Sequence, residues 1–139
     1  MSGKSIVAVI VLMVGVLTAR PNPSPNARVT SQATIVVTTG TTCAQTVIGT
    51  APNDFPVLQR NAGDTIKWMG ISSARGVTVT FAGSGARLPF HKGKFNNKES
   101  SGRPTGANGN YPFQSVVVGS GTSAVRCSNA QTMGVHIDN

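Results

Sequence analysis

The chain has 139 residues, a formal net charge of +8, and four carboxylates against twelve lysines and arginines. That length supports one compact core and excludes a multidomain assembly within the chain. With 39% apolar residues it is not a disordered polyelectrolyte, and with charged residues at only 12% and no sustained apolar repeat at helical spacing after residue 20 it is not a helical bundle.

Residues 1–4 (MSGK) place a positive charge before the apolar run at residues 6–17 (IVAVIVLMVGVL), which is followed by Thr18 and Ala19. This is the pattern of a secretory signal, with cleavage expected after Ala19. A retained anchor is the alternative, although the run is shorter than the roughly twenty residues needed to cross a bilayer. Export places the mature chain in a periplasmic, cell-surface or extracellular setting. Residues 20–26 (RPNPSPN) follow, and prolines at positions 21, 23 and 25 remove backbone donors and restrict the residues before them. Residues 20–32 are therefore expected to form a flexible tether, with the ordered domain spanning residues 33–139.

Within that domain the strand pattern recurs. Residues 33–39 (ATIVVTT) supply a first strand, and residues 41–50, which carry Cys43, a second strand-like segment. Residues 55–60 (FPVLQR) approach a Gly63-Asp64 turn, and residues 65–69 (TIKWM) leave it. Residues 76–81 (GVTVTF) alternate apolar with hydroxyl side chains, the period-two pattern of a strand with one buried face. Residues 116–118 (VVV) and 123–127 (SAVRC) flank Gly119-Ser-Gly121 as a hairpin, and residues 133–137 form a last strand. Two antiparallel sheets sharing a core accommodate all of these, with Ile35, Val37, Leu58, Ile66, Trp68, Val77, Val79, Phe81, Val117, Val125 and Ile137 as core positions. Trp68 fits the core in this pattern, and its indole N–H then needs a polar partner; a ligand platform is the other reading.

Two segments give the domain a more specific look. Residues 61–69 (NAGDTIKWM) and 127–139 (CSNAQTMGVHIDN) resemble segments of the cupredoxin family: a Gly-Asp turn launching a strand that ends in tryptophan, and a closing loop in which a cysteine and then a methionine precede the last strand. The resemblance spans residues 33–137 and implies an all-β, Greek-key, two-sheet sandwich. In that family copper is held by a thiolate, two imidazoles and a weak thioether. Cys127 and Met133 match by position, but Ala130 stands where the loop histidine belongs, and Arg75 and Gly76 stand where the other histidine would precede its strand. No metal and no other cofactor are therefore expected.

Export bears on the two cysteines. In an oxidising compartment Cys43 and Cys127 can form a disulfide, closing a long loop worth about 4 kcal/mol on the chain-entropy account. The competing reading keeps Cys127 as a thiolate near Met133 and His136. No enzyme constellation is visible: the carboxylates Asp54, Asp64, Glu99 and Asp138 show no paired acid/base spacing, and Asp64 reads as a turn residue.

The sharpest binding signal is the insertion between the 76–81 strand and Tyr111. Residues 87–103 (RLPFHKGKFNNKESSGR) gather Arg87, Lys92, Lys94, Lys98 and Arg103 around Phe90, His91 and Phe95, with Glu99 as the sole carboxylate. These eight cationic, aromatic and imidazole side chains form the candidate ligand-binding set. An extracellular protein, an anionic polymer or a membrane surface would suit it, while dedicated nucleic-acid binding is not expected of an exported chain. The bland reading is that both phenylalanines pin the loop and the charges solvate it. The function these observations support is an exported, non-enzymatic binding or adhesion module that works through sandwich-end loops. A structural or assembly subunit, including a homo-oligomer, and a degenerate electron-transfer cupredoxin are the alternatives.

Overall fold

A computed structural model describes residues 28–48, 54–70 and 76–139. The expected signal segment, residues 20–27 of the expected tether, and Arg75 lie outside the described residues. Among those described are nine strands and three single-turn 3-10 segments. The strands are β1 (Thr30–Thr39), β2 (Thr42–Val47), β3 (Val57–Gln59), β4 (Thr65–Gly70), β5 (Val77–Phe81), β6 (Lys94–Phe95), β7 (Gly109–Val118), β8 (Val125–Arg126) and β9 (Gly134–Asp138). β1 thus starts three residues before the expected domain boundary. Thr30, Ser31 and Gln32 belong to the strand and not to the tether, because they pair in parallel with Thr65, Ile66 and Lys67 of β4.

Both sheets are mixed, and together they make an all-β arrangement consistent with a sandwich. The smaller runs β2-β1-β4, and the larger runs β3-β9-β7-β5-β6 with β8 also paired to β7. Parallel pairs join β1 to β4 and β3 to β9, and the remaining ladders are antiparallel. Period-two alternation fills the space between the sheets. Ala33 and Ile35 of β1, Ile66 and Trp68 of β4, Val77, Val79 and Phe81 of β5, and Val135 and Ile137 of β9 all enter one apolar core.

β7 departs from simple alternation, and there the expected core list needs correction. Thr80 pairs with Ser115 but Phe81 pairs with Phe113, so Gln114 is an extra residue in the strand. Such a bulge shifts the inward parity by one. Phe113 points in before it and Val116 and Val118 point in after it, while Val117 turns to the outer face and is only half-buried. Val37 and Val125, also expected inside, are half-buried as well.

Trp68 lies at the centre, fully buried. Its ring centroid stands 5.9 Å from Phe81, 6.2 Å from Phe90, 5.5 Å from Phe95 and 5.7 Å from Phe113. Contacts of this kind add about 1 kcal/mol each beyond the area they bury. The indole N–H donates to Gln45 Oε1 at 3.1 Å, and Gln45 Nε2 donates in turn to the Gly134 carbonyl at 2.9 Å. This polar strut runs from β4 through β2 to β9 and so joins the two sheets inside the core. A side chain at residue 134 would collide with the backbone of β7, since a Cβ there would lie 2.1 Å from the Tyr111 carbonyl oxygen.

A second cross-tie is covalent. Cys43 on β2 and Cys127, just beyond β8, form a disulfide across 84 positions of sequence, with Cα atoms 5.6 Å apart. Asn129 completes this junction: its Oδ1 accepts from Cys43 N at 2.9 Å and its Nδ2 donates to Cys43 O at 2.8 Å, serving as a one-residue strand partner. Asp64 is the turn residue its sequence context indicates. It is buried, and its carboxylate oxygens accept from Val29 N at 2.8 Å and Gln59 N at 2.9 Å, tying the start of β1 to the end of β3.

Candidate functional site

The insertion leaves β5 through Gly83 and a 3-10 turn at Gly85–Arg87, then drives Leu88, Pro89 and Phe90 into the core. β6 returns to the sheet edge, where Lys94 pairs with Thr80 and Phe95 with Val79. The chain then crosses to the smaller sheet. Lys98 N donates to Trp68 O at 2.8 Å, Ser101 N to Ile66 O at 2.8 Å, and Ile66 N donates back to Ser101 Oγ at 3.0 Å. Lys67 and Ser100 form a bridge within the same run. The insertion therefore pairs with an edge of each sheet in turn and closes that side of the core, which also covers the β4 edge against strand addition.

This geometry separates the predicted binding residues into two groups. Phe90 and Phe95 are fully buried, 5.5 Å apart by centroid and packed on Trp68, so their rings are closed to a surface ligand. They are the pins that hold the insertion. The reason lies in β6: alternation turns Phe95 inward while Lys94 and Asn96 turn outward. Arg87, His91, Lys94, Lys98 and Arg103 are exposed. Lys92 is half-buried, its ammonium 5.2 Å from the Phe95 ring centroid and paired with the Glu99 carboxylate. Arg103 Nε donates to the Arg60 carbonyl at 3.3 Å.

Glu99 is committed locally. Asn96 N donates to its Oε2 at 2.9 Å, Lys92 donates to its Oε1, and Glu99 N closes the turn on Asn96 O at 3.0 Å. The Asn96 amide first, and the Lys92 ammonium second, hold its carboxyl below the usual glutamate value. Lys98 takes a left-handed backbone, with φ of 63°, at the apex of this turn. Among the described residues Arg87, Lys94 and Lys98 have no carboxylate partner, so their charge faces outward uncompensated.

Arg60 and Arg126 carry charge that the insertion's motif does not reveal. Arg60 Nη1 donates to the Gly106 carbonyl at 2.8 Å and Nη2 to the Asn139 side chain, so this guanidinium is used to fasten the insertion's far end to the carboxyl terminus. Arg126 is exposed on β8, at the opposite margin of the larger sheet from β6. A lone arginine in a short hairpin strand carries no sequence signal. Only the pairing of β8 with β7 places it on the same face as Lys94.

The copper donor set does not fit. Cys127 is held in the disulfide and offers no thiolate, and Met133 is fully buried. His136 is half-buried on β9, with Nδ1 2.6 Å from Asn110 Oδ1. Among the described residues no three His, Cys, Asp or Glu side chains converge as a metal site. A surface depression of about 280 Å³ lies at the start of β1 and the end of β2, lined by Val29, Thr30, Ser31, Gln32, Val47 and Ile48. It contains no titratable side chain and none of the insertion's residues. Among the described residues no helix is long and apolar enough to cross a membrane. No family model, curated protein or solved structure matches the chain.

Proposed function

We propose that this protein is an exported, non-enzymatic binding module that holds an anionic polymer through its basic insertion, on a Greek-key, cupredoxin-like sandwich that binds no copper. The observation that carries the reading is the division of labour within residues 87–103. Phe90 and Phe95 fix the backbone from inside, while Arg87, Lys94 and Lys98 present charge that no described carboxylate neutralises. A rigidly mounted set of unpaired cations attracts a polyanion without first having to order its own loop.

Several further features support it. The disulfide suits an oxidising compartment. Asp64 and Asp138 are engaged by backbone or amide donors and Glu99 by its own turn, which leaves no described pair of carboxylates set for acid/base work. Trp68 on β4, with Cys127 just after β8 and Met133 just before β9, supports the cupredoxin-like reading.

The test is a salt-titrated measurement of binding to dextran sulfate, with neutral dextran as control, for the wild type and for the Arg87→Gln/Lys94→Gln/Lys98→Gln variant. Lys92 is left in place because Glu99 uses it. Weaker binding and a shallower salt dependence in the variant are expected, and equal affinities would overturn the insertion's role. Export is checked separately by sequencing the mature amino terminus: a start at residue 20 is expected, and a start at residue 1 refutes it.

A further inference from the structure

The outer face of the larger sheet continues the charged surface beyond the insertion. Directly paired residues in antiparallel strands project to the same side. Lys94, Thr80 and Ser115 are paired across β6, β5 and β7 and form one outward row. Thr78, Val117 and Arg126 are paired across β5, β7 and β8 and form the next. Asn96 Oδ1, 3.4 Å from Thr78 Oγ1, extends that second row past β5. The residues between them, Phe95, Val79 and Val116 with Val77 and Val118, are those that fill the core, which fixes these rows as outward. Lys94 and Arg126 stand on strands three spacings apart and one row out of step, which puts them about 16 Å from each other. Between them lie hydroxyls, an amide and the half-buried Val117. None of the described carboxylates stands in either row, and neither cation has a carboxylate partner among the described residues.

We infer that this face docks an acidic polysaccharide, with Lys94 and Arg126 binding separate sulfate or carboxylate groups along one glycan and the hydroxyl and amide side chains between them hydrogen-bonding sugar hydroxyls. The inference rests on the anionic-polymer reading above and names its substrate class and second anchor. Two cations at this separation match repeated charges on a polymer better than one small anion. Single-stranded nucleic acid would call for exposed aromatic platforms, but Trp68, Phe81, Phe90, Phe95 and Phe113 are buried, and the half-buried Phe55 and Tyr111 belong to neither row. A membrane surface would call for an apolar face to enter the headgroup boundary, but the large exposed apolar side chains among the described residues are Val29, Ile48 and Val57, none of them on β5 to β8.

The deciding experiment compares the full chain, disulfide intact, with Arg126→Gln, Arg126→Lys and Arg87→Gln/Arg103→Gln by titration with dextran sulfate over a salt series. Single-stranded DNA and phosphatidylserine vesicles are the competing probes. Arg126→Gln is expected to weaken dextran sulfate binding about fivefold to tenfold and to lower the salt slope by about one, with Arg126→Lys keeping the slope. If Arg126→Gln binds as the wild type does while the insertion variant weakens, the sheet-face anchor is wrong and the insertion reading stands. If the wild type does not distinguish dextran sulfate from neutral dextran, both fall. DNA or vesicles bound as tightly as dextran sulfate would overturn the assignment to a glycan.

Discussion

The insertion and the carboxyl-terminal segment both bridge the two sheets, but they do so by different physical means. Residues 88–101 are held by buried phenylalanines and by backbone pairing with β5 and β4. Residues 127–134 are held by the Cys43–Cys127 bond, the two Asn129 contacts to Cys43 and the Gln45 bond to Gly134. The first method places no demand on the outward side chains, so the insertion's surface is free to carry charge. In the second, the side chains themselves are the fasteners, which leaves fewer positions free for a binding role.

The comparison breaks most sharply at the two strongest pins. Phe95→Ala is expected to destabilise the fold by about 4 kcal/mol through a cavity beside Trp68. Replacing both cysteines with alanine should remove a similar amount, about 4 kcal/mol, by freeing the unfolded chain. Urea unfolding separates the two: the cysteine variant should show a larger m-value because its unfolded state exposes more surface, and the phenylalanine variant an unchanged one. Equal m-values would mean that the disulfide also acts within the folded state. Gln45→Leu comes next, at about 2 kcal/mol, because it leaves the buried indole N–H without its acceptor; near-neutral unfolding data would show that another acceptor takes over.

Smaller effects belong to the outer surface. Lys94→Gln should change stability by less than about 0.5 kcal/mol, since Lys94 is exposed and unpaired. A large loss would mean that the insertion's charges also hold it in place. The smallest is a pH effect at Glu99. Its carboxyl is held below the ordinary value, so its stabilising contribution is present above that value and fades as pH falls through the lowered one. Melting temperatures followed into the acid range should fall more steeply in the wild type than in Glu99→Gln, and identical pH profiles would show that Glu99 contributes nothing.

Much of the scaffold was legible because its strands alternate cleanly. Val77, Val79 and Phe81 identify β5, and Ile66 and Trp68 identify β4, without reference to any neighbour. The β7 register was not, since a run of three valines offers two equivalent parities and only the bulge at Gln114 selects Val116 and Val118. β6 was also hidden, because two residues are too few to display a period. Phe90 and Phe95 look the same in sequence whether they pin a loop or meet a ligand; their depth beside Trp68 decides it.

By itself the amino-acid sequence determined the strand-rich class and the excess of cationic charge in residues 87–103, because composition, short-range alternation and residue identity are local properties. The tertiary structure chose the expected Cys43–Cys127 disulfide over a free Cys127 thiolate, and it alone decided that Gln45 supplies the acceptor Trp68 requires and that Arg126 shares a face with Lys94. Each of these joins residues far apart in the chain, and only the pairing of strands from different parts of the sequence brings them within reach.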